Sequence, residues 1–231
     1  MLELIPEGFE ERERGAEVEL AAYTDAPGGA RIARAFRTVS EDDVAGDWSE
    51  RWRDFHRPVR AGPFWIGPSW EGSEPDAVAI VIDPGLAFGT GGHATTRLCL
   101  ALLAELPPGS LFDAGCGSGV LSVAAAKIGF APVHAMDDDP FAVAATRENA
   151  ERNGVVVDAG EGDLRVAPLP TTDVAVANLA LDAVETLAAR IPARELVASG
   201  YLERERPQIE RGEHVERRVL NGWAADRFRL T

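Results

Sequence analysis

The chain has 231 residues, 45% of them hydrophobic, enough for one large domain or for one domain and a small lobe. Lys and Arg number 23 against 38 Asp and Glu, a formal charge of -15, which argues against a duplex nucleic-acid binder with its basic face. The two cysteines, Cys99 and Cys116, lack CxxC spacing, so neither a disulfide framework nor a metal site is expected, and a reducing cytoplasm is the default. No apolar run is long enough for a membrane span. The start, Met1-Leu2-Glu3-Leu4-Ile5-Pro6-Glu7, lacks the basic head and apolar stretch of a signal peptide.

In chain order, residues 1–45 are mixed and charged, with a strand expected over 18–23 and a short helix over 30–36. Residues 46–75 hold Trp48, Trp52, Trp65 and Trp70, four of the five tryptophans. Trp48, Trp52 and Phe55 share one face of a helix expected over 47–55, and Pro58, Gly62, Pro63, Gly67 and Pro68 then break the pattern. The stretch reads as a connector packed onto a main domain that begins near residue 76. There, strands and helices alternate. Strands are expected over 77–82, 111–113, 133–136, 155–158, 173–177 and 196–199, with a turn over 160–163. Helices are expected over 96–106 (capped by Thr95 or Thr96), 120–128, 140–153, 182–190 and 203–211. Asn221-Gly222 between apolar runs over 215–220 and 223–230 is a two-residue hairpin signal. Repeated β–α units predict an α/β fold: a mostly parallel sheet with helices on both faces, closed by a C-terminal antiparallel hairpin.

Two glycine-rich turns carry the chemistry. In Gly115-Cys116-Gly117-Ser118-Gly119, glycines let the backbone turn sharply after a strand and let a ligand approach with no Cβ in the way. The dinucleotide fingerprint G-x-G-x-x-G fails, because position 120 is Val. G-x-G-x-G after an acidic strand end is the pattern of S-adenosylmethionine (SAM) enzymes; the same turn also reads as a plain strand–helix connector. Asp137 closes the next strand, where a carboxylate accepts both ribose hydroxyls of a nucleoside. Its alternative is a helix N-terminal acid, a role that Asp138 and Asp139 fill more naturally. Asp163 is a candidate acceptor for an adenine amino group, or a turn-forming Asp. Asn178 ends the strand over 173–177 at the edge facing the transferable group, with a strand-end turn residue as its plainer reading. Leu179-Ala180-Leu181 follows it, with no aromatic to stack a planar target, so an aliphatic amine fits better as acceptor. In the earlier turn, Phe88-Gly89-Thr90-Gly91-Gly92-His93-Ala94-Thr95-Thr96, a helix N-terminus is placed to receive a carboxylate, and His93 either orients the loop or touches substrate. Cys116 reads as a small residue, not a nucleophile.

These residues resemble the PrmA family, methyltransferases that modify protein eleven of the large ribosomal subunit. The resemblance lies in Asp83-Pro84-Gly85-Leu86-Ala87-Phe88-Gly89-Thr90-Gly91-Gly92-His93-Ala94-Thr95-Thr96, in Asp113-Ala114-Gly115-Cys116-Gly117-Ser118-Gly119, in the helix ending Glu148-Asn149-Ala150-Glu151-Arg152-Asn153-Gly154, and in Val176-Ala177-Asn178-Leu179. Asp47-Trp48-Ser49-Glu50-Arg51-Trp52 and Pro68-Ser69-Trp70-Glu71 extend it upstream. It implies a class I, Rossmann-like methyltransferase fold with a seven-stranded sheet, in which Thr96, Gly115, Asp137 and Asn178 contact SAM. The reading of the residues adds Phe88, His93, Gly117 and Asp163 as candidate cofactor contacts, and Asn178 as the candidate catalytic residue that orients the acceptor amine. Lysine or α-amino groups of a large-subunit ribosomal protein would be the acceptors, with no direct nucleic-acid or membrane partner and a monomeric state. The division expected is a reduced or truncated N-terminal α/β substrate lobe over 1–45, the connector over 46–75 and the methyltransferase domain over 76–231. Competing readings are a methyltransferase of another protein or small amine, a SAM-binding protein without transfer, and a nicotinamide oxidoreductase, against which the failed fingerprint argues.

Overall fold

Alternate side chains of the central strands are apolar on both faces, so each face must be covered, and a layered sheet results. The computed structural model describes residues 10–14, 17–21, 32–34, 36, 39, 57–83 and 91–231. The helix expected over 47–55, Phe88 and most of the first glycine turn lie outside them. Contacts divide the chain into two compact units, Met1–Asp54 and Phe55–Thr231. In the first, β1 (Glu10–Arg14) and β2 (Glu17–Ala21) form an antiparallel pair, and residues 32–34 are helical.

The second unit holds two sheets. β3 (Val59–Ala61) and β4 (Phe64–Gly67) are antiparallel, and β5 (Val78–Val81) runs parallel to β4. The strand expected over 77–82 therefore exists, but it pairs with the tryptophan-rich segment and not with the main sheet. The chain reverses between β3 and β4 at Gly62, whose φ is 57°. The main sheet comprises β6 (Leu111–Ala114), β7 (Val133–Asp137), β8 (Asp158–Glu161), β9 (Thr172–Asn178), β10 (Ala193–Leu202), β11 (Gly212–Leu220) and β12 (Trp223–Leu230). Their order is β11-β12-β10-β9-β6-β7-β8. The strands from β8 across to β10 are parallel, and β12 is antiparallel to both its neighbours, β10 and β11. Asn221 and Gly222 join β11 to β12 with φ of 51° and 79°, both left-handed, which is what a two-residue hairpin demands.

Alternation separates two cores. Leu111, Val174, Val176 and Val197 face α1 (Ala94–Leu103) and α2 (Val120–Lys127). Phe112, Ala175, Ala177 and Leu196 face α4 (Leu181–Ala188) through Val184 and Leu187. α3 (Pro140–Arg152) seats Val143 against Ala135 of β7 and Ala159 of β8. Asp139 caps α3 and Pro140 occupies its first turn, as the sequence predicts.

Three sequence expectations need correction. Residues 203–211 form turns and loop, not a helix: Pro207 has no N–H, and the Glu203 and Glu205 carbonyls are taken by the Arg217 guanidinium at 2.8 Å each. Ile209 of that loop, with Leu164 and Leu169, packs against the core on the α4 side of the sheet. The strand expected over 155–158 begins at Asp158, not Val155; the Val155 amide closes the end of α3 on Ala150 O, and Val156 is 89% exposed. The strand then runs to Glu161, through part of the expected turn. α1 is capped by His93, not by Thr95 or Thr96, which lie within its first turn.

Candidate functional site

The parallel strands end along one edge, and a cleft of about 740 Å³ opens there. This is where ligands bind in open α/β sheets. His93, Thr96, Gly115, Gly117, Asp137, Asp163 and Asn178 all line it, so the structure brings together every candidate that it describes.

Its floor is the turn between β6 and α2. Gly115, Gly117 and Gly119 have φ of 76°, 53° and 77°, left-handed values that side chains rarely adopt. A Cβ on Gly115 would meet Leu179 Cδ2 at 2.4 Å, and one on Gly119 the Thr146 backbone at 2.9 Å. The Gly115 and Cys116 amides donate to Met136 O at the end of β7. From below, Thr146 Oγ1 donates to Gly117 O (3.1 Å) and Asn149 Nδ2 to Ser118 O (2.8 Å). These two buried polar residues of α3 fix the turn, and sequence reasoning missed them because their partners are 29 and 31 residues away in the chain.

Asp137 is aimed by its neighbours. The Gly117 amide donates to Oδ2 (2.9 Å) and the Asp139 amide to Oδ1 (3.1 Å), so each oxygen keeps a lone pair for a ligand. Asp163 is engaged more fully. Arg165 binds both its oxygens through Nε and Nη2, and its backbone amide adds a bond at 2.9 Å. Those bonds hold the Asp163 carboxyl below its ordinary range.

Asn178 Nδ2 donates to Thr96 Oγ1 at 3.3 Å, tying the end of β9 to the first turn of α1. His93 Nδ1 takes the Thr95 amide (3.4 Å) and lies 2.8 Å from Thr95 Oγ1. Its ring meets Trp223 edge-on, centroids 4.8 Å apart. Trp223 and Gly200 are cleft residues that the sequence reading left unassigned. A lone glycine in a strand pattern is the available signal for Gly200. It has φ of 106° beside a bulge in β10, where a Cβ would stand 2.1 Å from Leu179 O.

Beneath the turn, Asp113 is 1% exposed and takes the Ser122 amide (3.0 Å) and hydroxyl (2.6 Å) on Oδ2, while Oδ1 has no partner. Burial raises its carboxyl to about 6, against the pull of the Ser122 bonds, with Asp137 raising it further. Burial, then the Asp113 charge, pushes the Cys116 thiol up to about 12, which leaves it no thiolate at neutral pH. Among the described residues no cluster of His, Cys, Asp or Glu is arranged to hold a metal, and no helix is long and apolar enough to cross a membrane.

A profile of the family described as ribosomal protein L11 methyltransferase (PrmA) matches residues 11–221. The ribosomal protein L11 methyltransferase of Pelotomaculum thermopropionicum is 43% identical over 187 residues, covering 76% of this chain and 59% of its own length. That of Symbiobacterium thermophilum is 40% identical over 211 residues, covering 84% and 64%. The chain thus spans about three fifths of the length of these relatives. A crystal structure of ribosomal protein L11 methylase from Lactobacillus delbrueckii subsp. bulgaricus superposes with a TM-score of 0.66 at 27% identity, over 76% of this chain and all of that one. The fold is that of class I methyltransferases, and this chain belongs to the ribosomal protein L11 methyltransferase (PrmA) family.

Proposed function

We propose that the chain is a SAM-dependent protein N-methyltransferase that acts on lysine or α-amino groups of ribosomal protein L11. One observation carries the reading: the three-glycine turn, the Asp137 carboxylate and the Asn178–Thr96 pair converge on one cleft. The family and its relatives' names support the acceptor. The residues fit the cofactor. The positive-φ glycines keep Cβ atoms out of the cradle, and Asp137 offers free lone pairs at the place a ribose diol needs acceptors. In this reading Thr96, Gly115, Gly117 and Asp137 hold the cofactor, Asp163 flanks its adenine, and Phe88 and His93 belong to the loop at its methionine end. Residues 1–45 serve as a substrate lobe, 46–75 as a connector and 76–231 as the catalytic domain of a cytoplasmic monomer.

Bound SAM supplies a methyl group on a sulfonium, an electrophile strong enough for direct displacement by a neutral amine. The chain's residues then have two tasks. They must strip water from the acceptor, because lysine titrates near 10.4 in water and a desolvated amine beside a cation loses its proton more easily. They must also aim its lone pair. Asn178 gives Nδ2 to Thr96, which leaves its Oδ1 to accept an N–H of the incoming amine. Positioning of this kind supplies much of such a barrier reduction.

Two experiments test the reading. Mass spectrometry of L11 incubated with the chain and SAM is expected to show added methyl groups; an unmodified L11 sinks the assignment. Asn178→Ala is expected to lower turnover about a hundredfold with SAM affinity held within a few-fold. Wild-type turnover in that variant removes Asn178 from catalysis.

A further inference from the structure

We propose that Arg190, which is not among the residues lining the cleft, is a positioning residue that sets affinity for the nucleoside end of the ligand by clamping the loop that forms its wall. The inference rests on the reading of the cleft as a SAM site.

The loop leaves β8 and gives Gly162, Asp163, Leu164 and Arg165 to the cleft. Its fastenings are few. The Gly162 amide donates to Asp137 O (2.9 Å), and the Val166 and Ala167 amides close a turn on Asp163 O. Leu164 packs against the core under α4. The Asp163–Arg165 pair lies within the loop itself, with the Arg165 side chain 72% exposed, so its hydrogen bonds do not reach beyond the loop and its charges are screened by water. Val166 is 76% exposed and anchors nothing.

Arg190 supplies the missing hold. It follows α4, with its amide on Leu187 O, and its guanidinium donates through Nη1 to Leu164 O and through Nη2 to Ala167 O (2.8 Å). One planar fork thus joins both sides of the turn to the rigid end of a helix. An Arg does this and a Lys does not, because an ammonium is a point charge without the fork. A wall already held in its bound shape binds tighter than one that must be ordered on binding.

The test measures SAM binding, methyl transfer and amide hydrogen exchange in the wild-type chain, in Arg190→Ala and in Arg190→Lys. Arg190→Ala is expected to bind SAM about tenfold more weakly, with turnover at saturating SAM unchanged and faster exchange confined to residues 164–167. Arg190→Lys is expected to fall between the two. Wild-type affinity in Arg190→Ala overturns the proposal. So does a loss of turnover in step with faster exchange across β6 and β9, which would mark general damage to the fold. The wild type is titrated first: if it does not bind SAM, the cofactor reading and the affinity claim fall together, whereas a binding wild type with an unaffected variant sinks only the clamp.

Discussion

Asp113 and Asp137 stand on neighbouring strands, yet their surroundings separate them. Asp137 is oriented by two amides at the cleft, whereas Asp113 is buried with one oxygen unpartnered. A carboxyl moved from 3.8 to about 6 costs the fold about 3 kcal/mol when ionised. Because the folded state holds this proton more tightly than the unfolded chain, Asp113 lowers stability as pH rises from about 4 to about 6. Asp163 and Asp173, held low by Arg165 and Ser110, act in the opposite sense at more acid pH. Chemical unfolding of wild type and Asp113→Asn over this range isolates the Asp113 contribution. The variant is expected to gain stability relative to wild type as pH rises from 4 to 6, and a pH-independent difference would refute the burial argument. The sequence marked Asp113 only as the acid before the glycine turn. That it faces Ser122, and not solvent or ligand, depends on how α2 lies on the sheet.

At the scale of elements, β10 shows how one backbone position shapes the cleft. Between Ser199 and Tyr201 its register with β12 shifts, and Gly200 approaches the Leu179 backbone while Ser199 O accepts the Leu179 amide (2.9 Å). Gly200→Ala is expected to destabilise the fold by about 3 kcal/mol, from a left-handed φ and a backbone clash together. A melting temperature within a degree or two of wild type would show that the loop after Asn178 yields instead. α3 makes a comparable tie at its far end, where the Asn153 side chain exchanges two bonds with Val81 (2.9 and 2.7 Å) and so holds β5 where it enters the glycine loop. Asn153→Ala is expected to cost about 2 kcal/mol, measured by denaturant unfolding. Much of this scale was legible beforehand. Caps, breakers and the Asn-Gly hairpin act within a few residues, so Asp139, Pro140 and Asn221-Gly222 announce themselves. The false helix over 203–211 shows the limit: its charged composition suits a helix, Pro207 was a local signal against it, and the distant Arg217, which claims the Glu203 and Glu205 carbonyls, could not be foreseen.

For the whole molecule, the glycine and acid positions that gather at the sheet edge could be read because each answers a local backbone or charge requirement. Trp223 and Arg190 could not, since their importance comes from segments far away in the chain. The surplus of acidic residues makes a further statement at this scale. A chain of charge -15 repels a phosphate backbone, so ribosomal RNA fragments at low salt are expected to show no saturable binding. Tight, salt-sensitive RNA retention would overturn that expectation and suggest that an acceptor is met on RNA and not as free protein.

The order of the sheet also bears on when the cleft comes into being. β12 follows the other six strands of the sheet in the chain and so is made after them, yet it lies between β10 and β11 and brings Trp223 to the cleft. Until it is made, β11 has no neighbour in the sheet and His93 lacks its aromatic partner. Completion of the cleft therefore depends on β12: ribosome-stalled chains that stop after β11 are expected to fold their parallel strands and still fail to retain a ligand that the chain with β12 binds.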